Sequence, residues 1–483
     1  MITTKEMRIL EQNSEYFGVS CFKLMDNAGR GIADYIFDTF KAVKKEKILV
    51  IAYHGNNGGD GFAAAYYLGC DVYFCGDKNA LKKDALTHFK KLHKKQFIDS
   101  LKYLGNYDII IDALLGVGVK GEIKEPVKNI INKINSINHI NNQNNKKIKV
   151  ISVDVPSGLD SDTGKGTLFV KSDIILTMHD TKPGLKRWRN TENNVVVLDI
   201  GIPSKAIIEV GPGDVKACLG NREINSHKGD NGKIVVATGS QDYPGAAVLV
   251  CQALASLRTG ADLITVIAPE KTGLLINTFI PDIVVKKVNS DFFQKKHVKE
   301  VLALAVKADA VVIGPGLGLQ SKDFVKKIVT SLIGNENLVL DADALKSVSI
   351  KYIKGCLLTP HAKEFELLTG IKLPENLEDR IKIILPFSKH NCILLKGNPD
   401  IIAYNGKYKL NYTGNSGMTA GGTGDILAGL CAGFLAQSHD LFLSASSAAF
   451  VNGLCGDNLK TELGYGFIAS DFSKEIAKVI KNI

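Results

Sequence analysis

In the run Ala420-Gly421-Gly422-Thr423-Gly424-Asp425, three glycines and a carboxylate come directly before an apolar stretch, residues 426–436. Such glycines let backbone N–H groups converge on an anion, and the positive end of the helix that follows adds to the attraction. Asp425, at the start of that helix, can take a proton from an attacking hydroxyl. Phosphate binding and base catalysis are therefore expected at one place. The spacing is not Gly-x-x-x-x-Gly-Lys-Ser/Thr, which excludes a Walker-type phosphate loop. A glycine turn capped by an ordinary Asp would use the same letters.

Three further clusters lie in the first half. His54-Gly55-Asn56-Asn57-Gly58-Gly59-Asp60-Gly61 follows an apolar run. Its N–H groups can hold a pyrophosphate, while Asn56, Asn57 and Asp60 can orient hydroxyls or ligate a hard cation through oxygen. His54 alone is expected to be packed rather than catalytic. Gly116-Val117-Gly118-Val119-Lys120-Gly121 has the Gly-x-Gly-x-x-Gly spacing of a dinucleotide-binding turn, but Asn141 stands where an acid for the ribose is due. Asp112, and Asp154-Val155-Pro156-Ser157-Gly158, supply two more carboxylates and a hydroxyl. Each acid alone could be a helix cap. Together they fall at successive strand ends, where open α/β sheets bind ligands.

Strands must carry these loops. Residues 47–53, 107–112 and 148–154 are apolar runs that each end in a glycine-containing loop, and the loop 54–61 is expected to lead into a helix over 62–68. Pro126 should open a crossover helix with Val127, Ile130, Ile131, Ile134 and Ile137 on one face, and residues 138–147 read as a polar loop. After Val210-Gly211-Pro212-Gly213 a second series begins, at 233–238, 262–267, 310–313, 338–340, 356–358 and 392–395. Strands alternating with helical stretches predict two α/β domains, 1–212 and 213–483, with no repeat relating them.

The 483 residues are too many for one core, and 46 glycines suit a loop-rich α/β enzyme. The net charge is +10, yet the lysines are scattered and no Arg-rich run occurs, so nucleic acid is not an expected partner. Nine cysteines occur singly, without a Cys-x-x-Cys pair, which fits buried reduced thiols rather than disulfides or a zinc site. No signal-peptide core is visible and the longest apolar run is too short for a bilayer, so a cytoplasmic protein without a membrane partner is expected.

Gly55-Asn56-Asn57-Gly58-Gly59-Asp60-Gly61, Asp112-Ala113-Leu114-Leu115-Gly116-Val117-Gly118 and Val153-Asp154-Val155-Pro156-Ser157-Gly158 together resemble the NAD(P)H-hydrate epimerases. In the second half, His227-Lys228-Gly229, Gly239-Ser240, Tyr243-Pro244-Gly245-Ala246-Ala247 and Gly314-Pro315-Gly316-Leu317-Gly318 come first. Asp341-Ala342-Asp343-Ala344-Leu345, Thr359-Pro360-His361-Ala362-Lys363-Glu364, Lys396-Gly397-Asn398 and the glycine turn before Asp425 follow. This is the order expected of ADP-dependent NAD(P)H-hydrate dehydratases. The whole chain thus resembles the bacterial bifunctional NAD(P)H-hydrate repair enzymes.

The resemblance implies a Rossmann-like three-layer αβα domain followed by a ribokinase-like α/β domain. It implies interconversion of the R and S epimers of hydrated NADH and NADPH (NADHX, NADPHX), and dehydration of the S form with ADP, which releases AMP and phosphate. Epimerase substrate contacts fall on Asn56, Asn57, Gly58, Gly59, Asp60, Gly116, Val117, Gly118, Val119, Lys120, Gly121, Glu122 and Asp154, with Asp154 as acid/base. A potassium ion is implied at Asn57, Asp112 and Ser157. Dehydratase substrate contacts fall on Ala246, Gly316, His361 and Asp425, with Asp425 as the base. ADP contacts fall on Lys396, Gly397, Asn398, Pro399, Asp400, Asn415, Ser416, Gly417, Met418, Thr419, Ala420, Gly421, Gly422, Thr423 and Gly424. Magnesium is implied with the nucleotide; Glu364 either supports it through water or is simply a first-turn helix acid. A homo-oligomer with small-molecule partners is expected.

Two segments depart from the family pattern. Pro399-Asp400 replaces a small or hydroxylated residue, and Arg258-Thr259-Gly260-Ala261-Asp262 lacks a second glycine. A vitamin kinase would use the same glycine-Asp turn, and the first half could serve as a non-catalytic binding module. Retention of Asp60, Asp112 and Asp154 argues against the second alternative.

Overall fold

A computed structural model describes residues 1–119, 121–137, 148–188, 195–220, 222–254 and 259–483. Lys120, the expected polar loop with Asn141, and Arg258 lie outside the described residues. The chain forms two compact units, Met1–Ala206 and Ile207–Ile483. Val210 donates its N–H to the Leu410 carbonyl at 2.9 Å, so residues 207–212 go with the second unit and not, as the sequence reading had them, with the first.

The first unit is built on six parallel strands: β1 (Ile48–Ala52), β2 (Asp71–Phe74), β3 (Ile109–Ala113), β4 (Lys149–Val153), β5 (Ile174–Met178) and β6 (Val195–Leu198). β1 and β3 are buried along their whole length, as continuous apolar strands in a parallel sheet covered on both faces must be. The spatial order β2-β1-β3-β4-β5-β6 reverses direction between β1 and β3, and that switch opens a crevice at their carboxyl ends.

The residues after β1 do not form the expected loop. A helix runs over Asn56–Leu68, starting at Asn56 rather than Phe62. Gly58 supplies the reason: any side chain there would overlap the Tyr53 carbonyl oxygen. The glycines permit the first helical turn to press against the strand end instead of loosening it. The crossover helix after Pro126 runs over Val127–Asn135, with Val127, Ile130, Ile131 and Ile134 buried. Two helices, Thr4–Tyr16 and Cys21–Thr39, precede β1 and were not anticipated; Thr3 and Glu6 close a reciprocal cap on the first.

The second unit holds nine strands, β7 (Lys233–Ala237), β8 (Leu263–Pro269), β9 (Val284–Val288), β10 (Ala310–Ile313), β11 (Leu338–Leu340), β12 (Cys356–Leu358), β13 (Cys392–Leu395), β14 (Asp400–Tyr404) and β15 (Lys407–Asn411). Their order is β15-β14-β13-β12-β11-β10-β7-β8-β9, parallel except for β14 and β15, which close one edge as an antiparallel hairpin. The switch lies between β7 and β10. The helix Thr423–Ser438 is buried over most of its length and apolar on all sides, as an element enclosed by its neighbours must be. Cys21, Cys70, Cys75, Cys251, Cys356, Cys392, Cys431 and Cys455 form no disulfide among the described residues. Among the described residues no helix is long and apolar enough to cross a membrane.

Candidate active sites

The β1/β3 crevice opens into a cavity of about 980 Å³. Asn56, Asn57 and Asp60 line it after β1, Gly116, Val117, Gly118, Val119 and Glu122 after β3, and Asp154 after β4. Gly58 and Gly59 are buried in the helix behind this wall, and Gly121 is exposed away from it. Asp112 and Ser157 lie beneath the lining.

Asp154 sits in the left-handed region at φ 64°, a conformation that costs a non-glycine residue energy and persists where the surroundings enforce it. Its Oδ1 accepts from Thr177 Oγ1 at 3.2 Å, from Met178 N at 3.1 Å and from the ammonium of Lys182. Lys182 is fully buried and donates further to Thr177 Oγ1 at 3.0 Å and to the Met178 carbonyl at 2.9 Å. Among the described residues Asp154 Oδ2 accepts nothing, so one oxygen is locked and the other is available to the cavity.

Asp112 ties the loops together. Ser157 donates from Oγ to Oδ1 at 2.6 Å and from its N–H to Oδ2 at 2.9 Å, and Ser152 Oγ donates to Oδ2 at 2.8 Å. Burial raises the Asp112 carboxyl and these donors pull it back. Among the described residues the buried Asn57 side-chain nitrogen has no hydrogen-bond partner, and a Cβ on Gly116 would lie 3.1 Å from Asn57 Oδ1. Burial, and then Asp154, push Asp60 well above the usual carboxylate range and Glu11 up to about 7. His54 is half-buried: its ring lies tilted against that of Tyr53 and its Nδ1 accepts the Asp77 N–H at 3.3 Å.

The second constellation gathers at the carboxyl ends of β7 and β10 to β13. Gly316, at φ 65°, lies where a Cβ would be 2.6 Å from the Tyr243 carbonyl and 3.1 Å from Ala246 Cβ, so Ala246 and Gly316 abut. His361 caps the helix Ala362–Thr369: its Nδ1 accepts from Lys363 N at 3.1 Å and Glu364 N at 3.3 Å, while Glu364 Oε2 accepts from His361 N at 3.1 Å. Glu364 is thus a first-turn helix acid, and it also faces Lys396 Nζ at 3.8 Å. Lys396 Nζ pairs with Asp341 Oδ1 at 3.0 Å, and Asp341 also accepts from Thr359 Oγ1 at 2.8 Å. Burial alone would lower the Lys396 ammonium, but Asp341 and Glu364 raise it.

A Cβ on Gly424 would lie 3.5 Å from Lys396 Nζ, which brings the ammonium to the glycine turn. The helix Thr423–Ser438 has Gly422 as its N-cap and no side-chain cap, so its first N–H groups are open to an anion. Asp425 stands in its first turn, where burial and then Asp341 push its carboxyl up to about 7 against the opposite pull of Lys396. Asn415 Oδ1 accepts from Gly417 N at 3.0 Å, and Thr423 Oγ1 donates to the carbonyls of Met418 at 2.7 Å and Ala420 at 3.1 Å, which fixes the approach to the turn. Ser416, Thr419 and Gly421 are exposed beside it. In the 396–400 turn Gly397 and Asn398 are exposed and Pro399 is partly so. Asp400 frames that turn: it accepts from Gly397 N at 2.8 Å and Asn411 Nδ2 at 3.0 Å, and burial pushes it up to about 6.

Sequence reasoning did not single out Lys182, Glu11 or Asp341 as parts of these sites by function. Asp341 lay in a motif without a stated role. Lys182 and Glu11 are isolated charges among polar neighbours, with nothing in the adjacent letters to set them apart.

Residues 21–184 match the family model described as YjeF-related protein N-terminus, and residues 234–478 match the model described as NAD(P)H-hydrate dehydratase. The bifunctional NAD(P)H-hydrate repair enzyme of Archaeoglobus fulgidus is 37% identical, over 99% of this chain and 98% of its own. That of Methanocaldococcus jannaschii is 37% identical over 100% and 94%, and that of Pyrobaculum aerophilum 36% over 99% and 98%. Among solved structures, a hypothetical protein of Streptococcus mutans matches with a TM-score of 0.51, at 27% identity over 57% of this chain and 99% of that one. A ribokinase-like superfamily protein of Enterococcus faecalis matches with a TM-score of 0.50, at 26% identity over 57% and 95%. The parallel-sheet units, the site-bearing strand ends and this end-to-end similarity lead to one conclusion: the chain belongs to the family of bifunctional NAD(P)H-hydrate repair enzymes.

Proposed function

We propose that the chain repairs hydrated NADH and NADPH in two steps. Residues 1–206 carry an epimerase that interconverts the R and S hydrates, and residues 207–483 carry a dehydratase that converts the S hydrate back to NAD(P)H at the expense of ADP. The observation that carries this reading is Asp425, poised near neutrality beside an uncapped glycine-turn helix start that Lys396 reaches. A proton acceptor and an oxyanion cradle side by side suit transfer of a phosphoryl group to a hydroxyl.

In the dehydratase, Asp425 takes the proton from the substrate hydroxyl as its oxygen attacks the terminal phosphorus of ADP, and AMP leaves. The N–H groups of residues 421–424 and the Lys396 ammonium hold the transferring phosphoryl group. Phosphate then departs with the C–O bonding pair, the neighbouring ring carbon releases a proton to solvent, and its C–H pair forms the double bond that restores the dihydropyridine. Ala246, Gly316 and His361 present the hydrated ring; residues 396–400 and 415–420 hold the nucleotide, with Asp400 shaping its turn and not touching the ligand through its carboxylate. The acids near Asp425 are already engaged, Asp341 by Lys396 and Thr359 and Glu364 by His361, and among the described residues no cluster of metal-ligating side chains is present. Magnesium therefore enters as the counter-ion of the nucleotide phosphates, with no protein ligand assigned.

In the epimerase, Asp154 is the acid/base, offering the oxygen that Lys182 leaves unbound. Residues 56–60 and 116–122 hold the nucleotide. Asn57, Asp112 and Ser157 supply hard oxygens for potassium, while the buried Asn57 nitrogen, which has no partner among the described residues, is a donor and suits an acceptor on the substrate rather than the ion. The ion would fix the loops that read the substrate. A cytoplasmic location is in keeping with the single spacing of the cysteines in the sequence, and self-association is supported by Leu274, Leu275 and Phe279, exposed on one helix.

The test is to incubate the protein with mixed NADHX epimers, magnesium and ADP or ATP. Return of the dihydropyridine absorbance with AMP and phosphate release is expected with ADP. A phosphorylated product with no absorbance gain would make it a small-molecule kinase instead.

A further inference from the structure

One wall of the β1/β3 cavity comes from the N-terminal helix Thr4–Tyr16, which contributes Met7, Arg8, Glu11 and Gln12 from a single helical face. This helix lies before the residues matched by the first family model. Among the described residues, no hydrogen bond or ion pair holds the Glu11 carboxyl, although it is partly buried and shares the cavity with Asp154 and Asp60. A carboxyl placed this way costs desolvation with no return from the protein itself, which points to use by an occupant of the cavity.

We propose that Glu11 is a second catalytic acid/base of the epimerase, acting on the face of the substrate carbon opposite to Asp154. The proposal rests on reading the first unit as an epimerase. Inversion requires the hydroxyl to leave from one face and return to the other. Asp154, pinned at the strand edge by Lys182, can attend only one of them.

In the forward direction Glu11 in its acid form protonates the departing hydroxyl. The C–O bond breaks as the ring-nitrogen lone pair forms a C=N bond, and water leaves. Water then adds to the other face, the new C–O bond forms, the C=N pair returns to nitrogen, and Asp154 Oδ2 takes the proton released. The substrate is inverted with no other change. Glu11 and Asp154 have exchanged protonation states, which solvent resets, and the reverse reaction uses them in exchanged roles.

Burial, and next Asp154, hold Glu11 near pH 7, where both of its forms are available; Lys182, Arg8 and Lys82 act in the other direction, and Asp60 and Cys21 are the remaining titratable groups coupled to it.

The experiment follows conversion of (R)-NADHX to the S epimer by the full-length enzyme, with potassium and without ADP. Glu11→Gln is expected to lower kcat by about 10²-fold or more with little change in KM, and to abolish the fall in wild-type kcat/KM above about pH 7. Glu11→Asp should retain part of that limb. Denaturant unfolding of the first unit that matches the wild type shows that the variant is folded, and unchanged dehydration of the S epimer shows only that the second unit is intact. Wild-type enzyme that leaves the R epimer untouched overturns the epimerase reading and Glu11 with it. Wild-type epimerisation with Glu11→Gln at full rate, or slow with its alkaline limb intact, overturns Glu11 alone. Should Glu11→Gln fail to fold, the wild-type profile decides: a flat rate from about pH 6 to about pH 9 rejects the proposal.

Discussion

Each unit sets a lysine beside the aspartate assigned to its chemistry, and the two lysines are used differently. Lys182 is fully buried and gives its ammonium to Asp154 itself, fixing one carboxylate oxygen. Lys396 gives its ammonium to Asp341 and approaches Glu364, and Asp425 is left with a raised affinity for protons. The first arrangement immobilises a carboxylate in a strained backbone position. The second keeps a base ready to gain a proton at neutrality while the cation, held by Asp341, lies at the glycine turn. Placement of the nearest cation, and not the identity of the acid, separates the two roles.

The largest expected effect tests the second arrangement. Asp425→Asn should slow dehydration by about 10²–10⁴-fold, because the amide cannot accept the proton. ADP titration should give near-native affinity, since backbone N–H groups hold the phosphates, and epimerisation should not change. Lost ADP binding would make Asp425 structural. The matching change in the first unit, Asp154→Asn, should slow epimerisation by about 10²–10⁴-fold and leave dehydration of the S epimer intact; an unaltered epimerisation rate removes Asp154 from the mechanism.

Stability sharpens the contrast. Asp154→Asn leaves a fully buried ammonium without its anion and should cost the first unit about 3–5 kcal/mol in denaturant unfolding. Lys182→Met leaves a carboxyl at a cavity wall, where it can be hydrated or protonated, and should cost less. Equal losses would mean that the pair is not the seat of the asymmetry. The smallest effect is in pH dependence: Asp425 works as a carboxylate, so dehydration kcat/KM should rise with pH and level off above about 7. Epimerisation, which needs the acid form of Glu11, should fall over the same range. Profiles that run parallel would break the comparison.

The glycine turn and Asp425 were legible because their chemistry is written in adjacent letters, and the strand-end loops because apolar runs announce parallel strands. Lys182 was not, since 28 residues and a strand separate it from Asp154 and only the fold returns it there. Glu11 was hidden for the same reason on an unanticipated helix. Gly58 was misread as loop because the letter Gly does not distinguish a need for close approach from a need for an unusual backbone angle. β2 and β6, four residues each with little burial alternation, gave too weak a pattern, and β5 was passed over although buried throughout.

All residues assigned to epimerisation precede the division at Ala206–Ile207, and all those assigned to dehydration follow it. One message and one protein lifetime then govern both steps. The cell holds the two catalysts in a fixed one-to-one dose, and neither can be induced or degraded alone. Synthesis completes the epimerase portion before the first residue of the dehydratase portion is made.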